Sequence, residues 1–299
     1  MSALQWFLVL FGWFSVFIFV VGNIAKFIKF SSMPQNLRWE VYPVPHETKE
    51  KRSYGGSYME EMDWAKKPLH TSLWAELVEM GSEIFFLARV RHHNPYGMWP
   101  LSMAMHWGVY LLFGWIFLLV IEALFKVTAL SQITSIVGIV AFILGAFGCL
   151  MLMIKRSSVR DLQVISSPVQ YFNLLFLLSI FVTGILSWLA DPSFTYSKKF
   201  LGGTILFNLS TVPAIVILNF LLIQLFLIYT PFSRFVHYIA KYFNFHQSLW
   251  DDAFKTKDSP KDKKNIEQVG YAFLWSGPHS YPDKTWLENA TIIEGGEKK

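Results

Sequence analysis

Five stretches of this chain, at roughly 3 to 30, 101 to 125, 133 to 154, 169 to 190 and 205 to 230, stay apolar over a length that crosses a hydrocarbon slab. In lipid, runs this long satisfy their backbone N–H and C=O groups only by coiling into helices, and they show no ten-residue alternation of the kind a barrel strand needs. The sequence therefore predicts an all-α membrane protein, a bundle of five transmembrane helices, the last running on past Pro231 to about 241. Composition agrees: 53% of residues are hydrophobic, 16% are charged and mean hydropathy is +0.37, which is too apolar for a soluble domain of 299 residues.

Met1 to Trp6 carries no Lys or Arg and no small-residue cleavage site follows the first apolar run, so that run is expected to be retained as a helix rather than removed as a leader. Basic residues set the expected orientation. Arg38, Lys49, Lys51, Arg52, Lys66, Lys67, Arg89 and Arg91 lie between helices one and two, Lys155, Arg156 and Arg160 follow helix three, and Arg234 and Lys241 follow helix five. The opposite side holds only Lys126, Lys198 and Lys199. By the positive-inside rule the amino terminus is outside and the carboxy terminus cytoplasmic. The same bias accounts for the net charge of +5, which is no argument for nucleic-acid binding.

This gives four regions: a first transmembrane helix over 1–30, a cytoplasmic loop with an interfacial helix over 31–98, a four-helix membrane region over 99–241 that carries His106 and His237, and a cytoplasmic partner-docking tail over 242–299. The interfacial helix is expected between Leu73 and Val90, with Leu77, Met80, Ile84 and Leu87 on one face. Loop and tail are rich in Trp and Tyr but lack a periodic core. They read as docking surfaces for a partner, or alternatively as lipid-surface aromatics. Lys255 to Lys264, dense in Lys, Asp and Pro, reads as a solvated linker.

Chemistry within the chain rests on histidine. The single cysteine, Cys149, forms no intrachain disulfide and reads as packing, and no C-x-x-C-H or cysteine cluster offers covalent haem, iron–sulfur or zinc sites. Of the eight histidines, only His106 and His237 fall inside or at the edge of predicted spans; His46, His70, His92, His93, His246 and His279 lie in connecting or terminal segments. His106 stands roughly 9 Å into helix two from its cytoplasmic end, and His237 closes helix five on the same side. Two neutral imidazoles at matching depth on different helices suit one b-type haem iron; the alternative is that each hydrogen-bonds to a neighbouring helix. Gly108 and Gly114 would let helix two approach a flat macrocycle, and Arg234 is placed to meet a propionate or to serve as a positive-inside anchor.

The run Pro231-Phe232-Ser233-Arg234-Phe235-Val236-His237, with a histidine early in the second helix, resembles the cytochrome b (gamma) subunit of respiratory nitrate reductase. Closer still is the resemblance to relatives from sulfate reducers and methanogens that pair with heterodisulfide-reductase-like iron–sulfur proteins. Arg38 to Glu47 and Tyr54 to Glu61 are similar to the first cytoplasmic loop of that second group. Two-haem members carry further histidines where this chain has Ile116 and Asn219, so the resemblance implies one haem, on the cytoplasmic side, with the outer half of the bundle filled by Phe, Leu and Ile. It also implies menaquinone as exchangeable substrate, a cytoplasmic iron–sulfur subunit as partner and a prokaryotic cytoplasmic membrane. Asn173, Asn208, Asn219, Gln224 and Glu122 are the polar groups at membrane depth that could meet a quinone, though Glu122 reads more simply as an i,i+4 pair with Lys126. The function these features imply is electron relay between quinone pool and iron–sulfur partner; the alternative is a haem-free membrane anchor or assembly subunit.

Overall fold

The computed structural model describes residues 1–33, 44–45, 47–54, 56, 60–68, 71–94, 96–250, 256–277 and 280–292. Most of the loop motif between Arg38 and Glu47, together with His70 and His279, lies outside the described residues. Thirteen α-helices are described: α1 (Ala3–Ser31), α2 (Lys49–Tyr54), α3 (Leu73–Phe86), α4 (Ala88–His92), α5 (Trp99–Phe125), α6 (Ser131–Ser158), α7 (Arg160–Ile165), α8 (Pro168–Ala190), α9 (Thr195–Ile205), α10 (Ala214–Tyr229), α11 (His237–Asn244), α12 (Pro260–Val269) and α13 (Trp286–Ala290). Among the described residues no β-strand occurs, only two isolated bridges. Five helices, α1, α5, α6, α8 and α10 with its 3₁₀ extension to Phe232, are long and apolar enough to cross a membrane, and the chain is an all-α membrane protein built on them.

The chain divides into two compact units. The first comprises Met1–Asn23 and Leu77–Phe235, the second Ile24–Glu76 and Val236–Lys299. In the first unit, α5, α6, α8 and α10 pack in sequence as antiparallel neighbours. The register of α5 on α6 is set where side chains vanish: a Cβ on Gly108 would lie 2.4 Å from Gly145 Cα, and one on Gly148 would lie 2.3 Å from the Met105 amide nitrogen. Backbones meet directly there, which small residues allow in a membrane where dispersion and packing hold helices together. Farther along, Phe142 fills the space beside Gly184 of α8. Polar bonds link α8 to α10: Asn219 Nδ2 donates to Ile180 O at 2.8 Å and to Thr183 Oγ1 at 2.9 Å, and Tyr229 Oη donates to Asn173 Oδ1 at 3.0 Å.

Two boundaries differ from the sequence reading. The fifth span starts at Ala214 rather than near 205, because Pro213 and the extended segment before it separate it from α9. Helix α9 begins beside the last turn of α5 and ends where Thr204 meets Gly12 of α1 and Gln224 in the middle of α10; the chain then doubles back through 206–213. Backbone that leaves the helix at this depth is tolerated because Leu209 and Val212 are buried and Asn208 N–H bonds Gly203 O at 2.8 Å. At the other end the α-helix stops at Tyr229. Pro231 lacks the N–H to continue it, Ser233 is extended, and two 3₁₀ turns precede α11, which starts at His237.

The second unit has its own local order. Phe243 of α11 packs its ring 4.9 Å from Phe27. In the tail Phe273 stacks on Trp275 and contacts Trp286, both at 4.9 Å, while Ala272 bridges Thr285. A Thr285–Glu288 capping box starts α13. Part of the stretch read as a linker is helical: Ser259 accepts the Asp262 N–H at 3.2 Å as N-cap, with Pro260 in the first turn of α12.

Candidate functional site

His106 is held by its own helix. Its Nδ1 lies 2.7 Å from Ser102 O, one turn earlier, so Nδ1 donates its N–H to that carbonyl. The residues of α5 that pack inward form a stripe through Gly108, Leu112, Trp115, Leu119 and Glu122. His106 lies roughly 160° around the helix from that stripe at 3.6 residues per turn, on the opposite face, which it shares with half-buried Tyr110 and exposed Phe113 and Phe117. Its ring centroid is 6.2 Å from that of Tyr110. The His106 ring thus sits near the start of α5, on a face not used for packing on α6.

The glycine singled out with it has a different occupation. Gly108 is buried and its missing side chain accommodates the backbone of α6, so the close approach it permits is to Gly145 and not to a macrocycle. Gly114, in contrast, has nothing within 4 Å of its Cβ position. His237 belongs to the second unit, is exposed and occupies the first position of α11; Arg234 belongs to the first, is exposed and lies in a 3₁₀ turn. The helix that carries Asn219 ends before His237, being interrupted at Pro231.

The middle of the four-helix region is filled by rings. Trp115 contacts Phe142 at 5.1 Å, Phe194 at 5.0 Å and Phe220 at 6.0 Å, and Phe200 stacks on Phe220 at 4.6 Å. Ile116, where two-haem relatives of the resembled family carry histidine, packs against this core. Cys149 is fully buried within it.

The polar groups at depth divide by what they already hold. Asn219 spends both amide hydrogens on α8, and Asn173 accepts from Tyr229. Gln224 is buried, with Oε1 lacking a hydrogen-bond partner, and Asn208 is exposed. Glu122 pairs with Lys198 Nζ at 2.7 Å and accepts from Thr134 Oγ1. Its sequence-proposed partner Lys126 instead ends α5 in the left-handed region at φ 54. Beyond the span, burial works against the charge of Asp191, but hydrogen bonds from the Ser193 hydroxyl and the N–H groups of Tyr196, Ser193 and Thr195 hold it below the ordinary aspartate range.

Sequence reasoning missed His246. It starts in a π-helical turn, Phe245–Leu249, with its ring stacked 4.2 Å from Tyr242 and its Nε2 4.0 Å from Glu76 Oε2. The i−4 bond from Nδ1 to Tyr242 O, at 2.9 Å, matches the one at His106. No apolar span surrounds it in the sequence, so no hydropathy signal singled it out. No family model, no curated protein and no solved structure matches the chain.

Proposed function

We propose that the chain is a membrane cytochrome b subunit of a respiratory complex in a prokaryotic cytoplasmic membrane. It passes electrons between a menaquinone-type pool and a cytoplasmic, heterodisulfide-reductase-like iron–sulfur subunit through one haem b. The observation that supports this reading best is the His106 imidazole near the end of a spanning helix, its ring oriented by the Nδ1 bond to Ser102 O so that ligation would be through Nε2. In this reading the amino terminus is outside and the carboxy terminus cytoplasmic, which follows the basic residues.

His106 and His237 would hold the haem iron and Arg234 would meet a propionate. When bound, the haem supplies a reversible one-electron iron couple that links two-electron quinone chemistry to iron–sulfur clusters. The Ser102 carbonyl fixes the His106 ring and raises the basicity of Nε2. Gln224 Oε1 and Asn219 Oδ1, both buried and without a hydrogen-bond partner, could each accept a quinol O–H.

A haem-free anchor or assembly subunit is the second reading. It is favoured by the exit of His237 from the fifth helix and by the closure of Gly108 against α6. A reduced-minus-oxidised absorbance spectrum of the purified chain separates the two. A b-type difference spectrum is expected; its absence from protein expressed with ample haem supply would leave the anchor reading standing.

A further inference from the structure

Helix α3 is amphipathic with its faces reversed. From Leu77 onward its exposed residues are Leu77, Val78, Ile84, Phe85 and Phe86, whereas Glu79 and Ser82 are half-buried and Glu83 is buried. Glu83 Oε2 accepts the Arg89 N–H at 3.0 Å. A helix facing water keeps its apolar stripe inward. Here the carboxylates turn inward and the outward stripe from Leu77 to Phe86 carries no charge.

The depth of this stripe is set by three hydrogen bonds. The carbonyls that end α3 have no intrahelical donor, and side chains of α5 supply one each: Tyr110 Oη to Ile84 O at 2.9 Å, Trp107 Nε1 to Phe85 O at 3.1 Å and Trp99 Nε1 to Phe86 O at 2.7 Å. Helical side chains lean toward the helix N-terminus, so these donors place the end of α3 beside the first two to three turns of α5. For a helix whose apolar length matches the hydrocarbon core, that is the boundary between headgroups and acyl chains. Deeper on α5, on the face that carries Tyr110, Phe113 and Phe117 are also exposed.

Above the stripe lies positive charge. Helix α4 presents Arg89 and Arg91, and the Arg91 guanidinium sits 5.2 Å over the Trp99 ring, level with the first residue of α5. Apolar side chains below, indoles at the boundary and arginines above is the vertical order of an anionic leaflet.

We infer that α3 and α4 form a collar that binds anionic phospholipid, with acyl chains against Leu77, Val78, Ile84 and Phe85 and the phosphate at Arg89 and Arg91. This assignment does not depend on the haem. It is tested on the full chain in nanodiscs doped with photoactivatable phosphatidylglycerol or phosphatidylcholine, with cross-links mapped by peptide mass spectrometry. Labelling between Leu77 and Arg91 is expected to favour phosphatidylglycerol, and Arg89→Gln and Arg91→Gln are each expected to lower it about fivefold. Equal labelling by both lipids that is insensitive to either substitution would overturn the proposal. So would absence of labelling at α3 while Phe117 is labelled, because a protein partner would then cover the stripe. Protection of the buried Cys149 thiol reports that each variant remains folded.

Discussion

Glu122, in the last turn of α5, is bound to Lys198, in the first turn of α9, at 2.7 Å between Oε2 and Nζ. The pair is inside the protein: the Glu122 side chain is 4% exposed and that of Lys198 18%. Thr134 donates to the second carboxylate oxygen, and Lys198 also donates to Ser131 Oγ at 2.6 Å. This pins the half-length helix α9 to α5 and α6. Glu122→Gln leaves a nearly buried ammonium without its counter-charge, at a cost near the lower end of the roughly 3–5 kcal/mol for breaking such a pair. Glu122→Gln with Lys198→Met should recover most of that loss. Thermal unfolding in detergent, followed by exposure of the Cys149 thiol, measures the cycle; strictly additive losses would show that the two side chains are not coupled.

Gly108 and Gly114 lie on the same helix and should respond oppositely to alanine. At Gly108 the new methyl meets the Gly145 backbone at 2.4 Å, and overpacking of this kind costs about 1–3 kcal/mol. At Gly114 the position is open, and alanine should stabilise the helix by up to about 1 kcal/mol through propensity alone. Equal melting temperatures for the two variants would contradict the α5–α6 register described above.

Haem content follows from the proposed ligand pair. Pyridine-haemochrome assay should return about one haem b per chain. His106→Ala and His237→Ala should each abolish incorporation or leave a five-coordinate, high-spin iron, whereas His46→Ala and His279→Ala should not. A low-spin spectrum retained in His237→Ala with loss in His246→Ala would move the second ligand to the π-helical turn.

Glu61 carries the clearest pH dependence outside the spans. Hydrogen bonds from Lys51 and then Lys67, reinforced by their charges, hold its carboxyl at about 2, below the 4.5 of a free glutamate. A depressed folded-state value means that the contribution is complete above pH 4.5 and is lost as pH falls from there toward 2. The group is at the surface, so the effect is local. Hydrogen exchange over Lys49–Lys67, corrected for intrinsic rate, should accelerate across that window in the wild type, whereas Glu61→Gln should already exchange fast at pH 6.

What could be read from the sequence was what local pattern encodes. The five spans stand out because each is a long apolar run, and only their ends moved. A start of helix five near 205 follows from Leu201 to Val216 carrying no charge, although Gly202, Gly203 and Pro213 mark the break. Helix α12 was passed over because charge suggested a linker, while Ser259-Pro260 with Asp262 is a helix-start signal. The Glu122–Lys198 pair and the facing of Gly108 toward Gly145 are tertiary facts that no spacing within one helix contains. The reversed α3 was half legible: Leu77 and Ile84 are on the exposed stripe, but Leu87 is buried at φ 47, where the helix has already ended.

The tail supplies the last test. Residues after Gly270 form a small knot: Phe273 is buried between Trp275 and Trp286, Asp283 N–H bonds Phe273 O at 2.9 Å, and Trp286 N–H bonds Tyr271 O at 3.1 Å. Around it Leu274, Trp275, Tyr281, Trp286 and Leu287 are exposed. Aromatic residues on a locally fixed backbone lose little conformational freedom on contact, which suits a docking surface. A chain with no cysteine set for a cluster must hand electrons to another subunit if it carries them at all. Deleting 271–299 leaves α12 whole and touches neither His106 nor His237, so the haem spectrum should persist while the iron–sulfur subunit is released from the membrane fraction. If a pull-down recovered the complex intact after that deletion, docking would pass to the loop between α1 and α5.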